Sequence, residues 1–240
     1  MNAIDRPLRL LVYGASGRMG SAVLRLAHAT PGTEIVAAVS GSAPPQRVRD
    51  GVPHFAAAEI AGTPAFDVAV DFSLPDGFGR ILQACVERGA ALVTGTTGLS
   101  TEQAAALDEA ARRIPVLATA NFSLGVAVLS ELVERAAASL ADWDCDILES
   151  HHVHKKDAPS GTALALGERA AKAGALPRYA SVRAGDVVGE HTVQFTGLGE
   201  RIELIHRATD RDVFARGALH AARRIAGRTA GRYRLVELLL

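Results

Sequence analysis

Residues 151–162, HHVHKKDAPSGT, place three histidines and two lysines within six positions and then run into a helix pattern, TALALGERAAKA. Three chemistries use such a set: a metal site, an anion pocket, or a proton-transfer site with a histidine that titrates near neutral pH. For a metal, His152 and His154 stand two apart and could face one way on a strand, but no third ligand follows at a suitable spacing and HExxH is absent. The expectation is therefore no metal. A solvated basic loop would be the plain reading of such a run. Against it, Lys155, Lys156 and the histidines lie just before Pro159, Ser160, Gly161 and Thr162, where a helix start offers free N–H groups to a carboxylate. Lysines, imidazole and helix N-terminus together describe a pocket for a small carboxylated molecule, with a histidine able to move a proton.

A second motif opens the chain. Straight after the apolar run LRLLVY stands GASGRMG, with Gly14, Gly17 and Gly20, leading into SAVLRLAHA with apolar positions three and four apart. This resembles a Rossmann dinucleotide loop, in which glycines allow a tight turn and a close approach to a pyrophosphate at a helix N-terminus. The spacing is GxxGxxG rather than GxGxxG, so the surrounding strands must carry much of the argument. An acid at the carboxyl end of the second strand would mark NAD; Glu34 begins that strand instead, while its end carries Ser40, Gly41 and Ser42. With Arg18, Arg47 and Arg49 nearby, a 2′-phosphate is tolerated.

The elements that must position these motifs follow from periodicity. LRLLVY, EIVAAV, FDVAVDF, ALVT and PVLATA alternate with amphipathic stretches, the mark of βαβ units around a parallel sheet. Ser100 and Gln103 form a capping box, Pro75 suits a first helical turn, and Gly89 stops the helix it begins. GSAPPQRVRDGVPHF reads as a loop. Small polar residues after later strands, DFS, GTTG and ANFS, fall where an open parallel sheet binds its ligand. Beyond Asn121, VAVLSELVERAAASL precedes the strand CDILES, and SVRAGDV, HTVQFT and RIELIHRA read as an antiparallel meander. The fold class expected is α/β: a Rossmann-like doubly wound parallel sheet over residues 1–120, then a mixed or antiparallel α+β domain over 121–208, with 209–240 packing back on the first.

Composition excludes several function classes. With 48% apolar residues the chain can bury a core, and 26 basic against 26 acidic residues give no global field for nucleic acid or an anionic membrane. Cys85 and Cys145 form no CxxC, which fits a reducing compartment, and no apolar run reaches signal-peptide or membrane-spanning length, so a cytoplasmic protein is expected.

ESHHVHKKDAPSGTA at 149–163, with GASGRMG, GTTG, ANFS and RAGDVVGEHTV at 183–193, resembles the 4-hydroxy-tetrahydrodipicolinate reductase (dihydrodipicolinate reductase) family across nearly the whole chain. The resemblance implies reduction of a cyclic dicarboxylic imine by NADPH or NADH on the diaminopimelate route to lysine. It implies His151 as proton donor or acceptor, Lys155 as second donor, and His152, Gly161 and Thr162 as substrate-binding residues. Implied at the cofactor are Gly14, Ala15, Ser16, Gly17, Arg18 and Met19, then Gly95, Thr96 and Thr97, then Ala120, Asn121, Phe122 and Ser123. A homotetramer built through the second domain's sheet is implied as well. The chain carries Ser40 and Gly41 where members often have an acid and arginine, and Leu74 where they have arginine. Another Rossmann oxidoreductase of a small carboxylated substrate, a nonenzymatic NADP sensor and a metallohydrolase using the three histidines are the rivals. The first offers no account of HHVHKKDAPSGT, the sensor would bind cofactor without turnover, and the metallohydrolase would carry bound metal.

Overall fold

The computed structural model describes residues 6–239. The chain divides into two compact units: the described residues through Phe122 together with those from Phe214 onward, and Ser123–Val213.

The first unit begins with β1 (Leu8–Tyr13), whose Leu10, Leu11 and Val12 are wholly buried, as a strand covered on both faces requires. Helix α1 (Arg18–Ala27) turns Val23 and Ala27 inward, and β2 (Thr33–Ser40) pairs parallel to β1. The stretch expected as a loop over 41–55 instead holds β3 (Val48–Arg49) and β4 (Val52–Ala56). Asp50 and Gly51 both take positive φ, 50° and 77°, and so form the hairpin turn that lets β4 return and pair parallel to β2. Then follow β5 (Val68–Asp71), α2 (Pro75–Arg88), β6 (Ala91–Thr94), α3 (Thr101–Ala110) and β7 (Pro115–Ala118). Helix α2 starts on Pro75 and ends on Gly89 at φ 64°, and α3 is capped reciprocally by Ser100 and Gln103.

In the second unit, α4 (Leu124–Ser139) precedes β8 (Asp144–His151), α5 (Gly161–Lys172), β9 (Pro177–Arg183), β10 (Gly189–Gly197) and β11 (Glu200–Ala208). The sheet order is β11-β10-β8-β9. β10 pairs antiparallel with both β11 and β8 while β9 pairs parallel with β8, so the sheet is mixed, one of the two forms expected; of the meander, β10 and β11 pair as read, but its first strand lies beside β8 instead of β10. The reason is the crossover: α5 carries the chain back over one face, and that return delivers β9 in the direction of β8. Leu129, Val133, Leu166, Val193 and Phe195 pack on this face with Cys145 and Ile147 of β8. Alternation along β8 then places Glu149 and His151 on the same inner face, where the apolar core gives way to buried charge.

The chain returns to the first unit with α6 (Asp212–Ile225) and β12 (Gly231–Tyr233). β12 adds parallel to β7, completing a mostly parallel Rossmann-like sheet in the order β12-β7-β6-β5-β1-β2-β4-β3. Among the described residues no helix is long and apolar enough to cross a membrane.

Candidate active site

Two sets of residues stand out, one in each unit. In the first, the order of the sheet places β1 between β2 and β5, so the connections from β1 to β2 and from β5 to β6 leave adjacent carboxyl ends in opposite directions and open a crevice there. Gly14 fills the turn at φ 79°, and a Cβ there would lie 2.6 Å from the carbonyl of Phe72. A Cβ on Gly20 would lie 2.3 Å from the Gly14 oxygen, so this glycine lets α1 seat against the turn. Gly17 is the N-cap of α1 without a side-chain cap, and no acid occupies the first turn. The first N–H groups of α1, over Arg18 and Met19, therefore suit an anion, and this is the fit a dinucleotide's pyrophosphate needs.

The loops after the other strands join the same edge. Asp71, fully buried, accepts hydrogen bonds from Thr94 Oγ1 at 2.7 Å, Thr96 Oγ1 at 2.8 Å and the Ser73 amide at 2.9 Å. Gly95 has room only for hydrogen, because a Cβ would meet the Phe72 ring at 2.4 Å and the Phe122 ring at 3.0 Å. Thr119 Oγ1 ties Asn121 into the last of these loops. The sequence thus missed Asp71 as an organiser, although DFS flagged its neighbourhood. Beside Ala15 and Ser16 lies a cleft of about 780 Å³ that extends past Ser40 and Ser42 to Arg49 and His54. Of the cations expected there, Arg47 is turned away, held by Glu59 at 2.6 and 3.1 Å, and Asp50 joins the lining. Ser123, expected with the cofactor residues, stands as the N-cap of α4 in the second unit, with its hydroxyl 3.1 Å from His206 Nε2.

In the second unit the strand end of β8 delivers His151, and the loop that follows delivers His152, Lys155 and the start of α5. His151 Nδ1 bonds the buried Glu149 Oε2. Arg183 grips both oxygens of Glu149, at 2.7 and 2.9 Å, and the Ser160 amide donates to Oε1 at 3.3 Å. Burial pushes the Glu149 carboxyl up, yet hydrogen bonds from Arg183, Ser181 and His151 outweigh it and hold the group down at about 2. His191 packs edge-on against His151, with ring centroids 5.2 Å apart, and burial, then His151, push it down to about 4. Lys155 Nζ meets both oxygens of Asp157 at 2.8 Å, and the Gly161 amide bonds the same carboxylate. Ser160 caps α5 on the Ala163 amide, placing Gly161 and Thr162 in its first turn. The substrate residues expected from sequence share this one strand end and helix start; Glu149, Arg183 and His191 join them. The signal for those three was weak, since isolated charges 34 residues apart meet only once β8 and β9 are in register. Among the described residues no three His, Cys, Asp or Glu side chains are grouped to hold a metal.

Residues 8–122 match the family described as "Dihydrodipicolinate reductase, N-terminus", and residues 125–239 match "Dihydrodipicolinate reductase, C-terminus". The chain belongs to the dihydrodipicolinate reductase family. Relatives named 4-hydroxy-tetrahydrodipicolinate reductase are 69% identical over 97% of the chain and 98% of the protein in Stenotrophomonas maltophilia (strain K279a), and 62% identical over 99% and 100% in Xylella fastidiosa (strain 9a5c). Among solved structures, "Dipicolinate bound Dihydrodipicolinate reductase from Paenisporosarcina sp. TG-14" superposes with a TM-score of 0.85 at 23% identity, covering 98% of this chain and 100% of that one, and so shares the fold. As a dihydrodipicolinate reductase, the chain is an oxidoreductase of lysine synthesis that uses a nicotinamide cofactor.

Proposed function

We propose that the chain reduces the cyclic dicarboxylic imine derived from 4-hydroxy-tetrahydrodipicolinate to tetrahydrodipicolinate, the first unit serving as dinucleotide domain and the second as substrate domain. The observation that carries the substrate half is a carboxylate already in place: Lys155 Nζ and the Gly161 N–H converge on Asp157. A substrate carboxylate meeting the same donors would gain charge-assisted bonds that offset its desolvation. His152 and Thr162 flank this position in the chain and complete the proposed substrate contacts.

When bound, the nicotinamide supplies the hydride. Hydride arrival at C4 of the conjugated imine leaves an electron pair at C3, and a proton must follow it there. His151 Nε2 is the group proposed to deliver that proton, with Lys155 as the second donor. Glu149 holds the other ring nitrogen, so the transferable proton sits on the edge away from the core. Gly14 to Met19 are proposed to bind the pyrophosphate, with Gly95 to Thr97 and Ala120 to Phe122 lining the nicotinamide side. Either nicotinamide dinucleotide is accepted on this reading, and Arg49 and His54, which line the cleft beyond Ser40 and Ser42, would be the residues to hold a 2′-phosphate.

A cytoplasmic homotetramer is proposed on a separate ground. Leu148, Thr192 and Ile205 form one row across the sheet's outer face, and Leu148 and Ile205 remain 40% and 43% exposed, which favours self-association through that face. The reaction itself is tested by condensing pyruvate with aspartate semialdehyde through the upstream synthase and following NADPH and NADH oxidation separately. Oxidation of either cofactor that depends on the synthase supports the reading; a folded protein that binds NADPH yet oxidises neither cofactor refutes it.

A further inference from the structure

We infer that Glu149 and Arg183 form a positioning clamp that fixes which nitrogen of His151 exchanges the proton and, through the same arginine, where the Lys155 loop sits. The inference rests on His151 as the proton donor. Glu149 is 1% exposed and its carboxyl lies far below neutrality, so between His151 and Glu149 only the ring can donate. The hydrogen is therefore on Nδ1, and Nε2 alone remains to gain and lose a proton.

The carboxylate itself cannot turn. Arg183 Nη1 and Nη2 hold one oxygen each, and the Ser160 amide adds a third donor. Arg183 in turn donates from Nη2 to the Asp157 carbonyl at 2.6 Å and from Nη1 to the Val182 carbonyl at 2.7 Å. One guanidinium thus joins β8, β9 and the loop carrying Lys155, a reach that lysine's single ammonium would not reproduce. At the other edge of the ring, Gly189 leaves Nε2 uncovered: a Cβ there would stand 3.0 Å from it. A glutamate kept only for stability would need neither the arginine fork nor the open edge.

The test exchanges the carboxylate for an amide of the same shape. In Glu149→Gln, the Arg183 Nη2 and Ser160 donors keep the amide oxygen at the Oε1 position and leave the NH2 at the Oε2 position beside His151, where the Arg183 Nη1 bond is lost, Nδ1 must accept and the hydrogen moves to Nε2. Ring 15N spectra of histidine-labelled protein, with His151 assigned from the His151→Gln difference, report this directly. The expected wild-type signature is Nδ1–H, converting to Nε2–H in Glu149→Gln. In the synthase-coupled assay, kcat falls on the order of a hundredfold while KM and NADPH affinity change less than about threefold, and Glu149→Asp recovers part of the loss. A wild-type His151 protonated on Nε2 overturns the inference even if the variant fails to fold. So does a folded Glu149→Gln with unchanged turnover. Wild-type protein that never oxidises cofactor would instead refute the proposed function, leaving the 15N result to judge the clamp alone.

Discussion

Ser160 Oγ lies 3.1 Å from His191 Nε2 and 3.2 Å from the Ala163 amide it caps. The hydroxyl accepts from the helix amide and pairs with the imidazole, so the cap of α5 also holds a buried histidine. The arrangement occurs twice: Ser123 caps α4 on the Val126 amide and meets His206 Nε2 at 3.1 Å. His191 and His206 are register partners on β10 and β11, and the Nδ1 of each is buried without a partner.

Acid should therefore loosen the second unit before the carboxylates titrate. His191 ordinarily titrates near 6.5 but is held at about 4, so between these values the unfolded chain binds a proton that the folded chain refuses. Stability is complete above 6.5 and declines as pH falls toward 4, by roughly 2–3 kcal/mol for this group. Burial lowers His206 as well, which adds in the same direction. Urea unfolding from pH 7.5 to 4.5 measures the slope, and His191→Gln should flatten it. An unaltered slope in that variant would assign the acid sensitivity elsewhere.

Cofactor binding should fail in Gly14→Ala for reasons of backbone geometry. Its φ of 79° is unfavourable for alanine, and the added Cβ would meet the Phe72 carbonyl at 2.6 Å, backbone that cannot swing aside. Titration calorimetry should show at least a tenfold rise in the Kd for NADPH, with unit-two substrate contacts left in place. Wild-type affinity would mean that this turn does not face the pyrophosphate.

The choice between cofactors is predicted to turn on Arg49. Removing its charge in Arg49→Ala should weaken NADPH, and its fragment 2′,5′-ADP, by about tenfold while NADH and AMP change little, the scale of one charge-assisted contact. Equal weakening of all four ligands would place Arg49 at the shared diphosphate instead.

Much of this was readable from residue order, and the exceptions have physical causes. The glycine loop and the strands over 8–13 and 91–94 declare themselves because parallel strands are apolar throughout and end on small residues. β4 was hidden because Pro53 and the neighbouring prolines read as loop, whereas the Asp50–Gly51 turn was the usable clue. β9 lacks any apolar alternation, being exposed from Arg178 to Val182, so neither its start nor its direction could be read. His151 and Lys155 announced themselves by crowding. Glu149 did not, because a carboxylate two residues upstream gains meaning only from Arg183, which the fold brings across from another strand.

On the proposed mechanism His151 and Lys155 supply protons and hold neither the fold nor the cofactor. The most direct measurement is kcat in the synthase-coupled assay for His151→Gln and Lys155→Ala, with the Kd for NADPH taken on the same samples. A positioned general acid contributes about 10²- to 10⁴-fold, so kcat should fall by at least about a hundredfold in His151→Gln, and markedly in Lys155→Ala, with Kd within about twofold of wild type. Wild-type kcat in both variants would contradict the assignment and move the proton donor to another group.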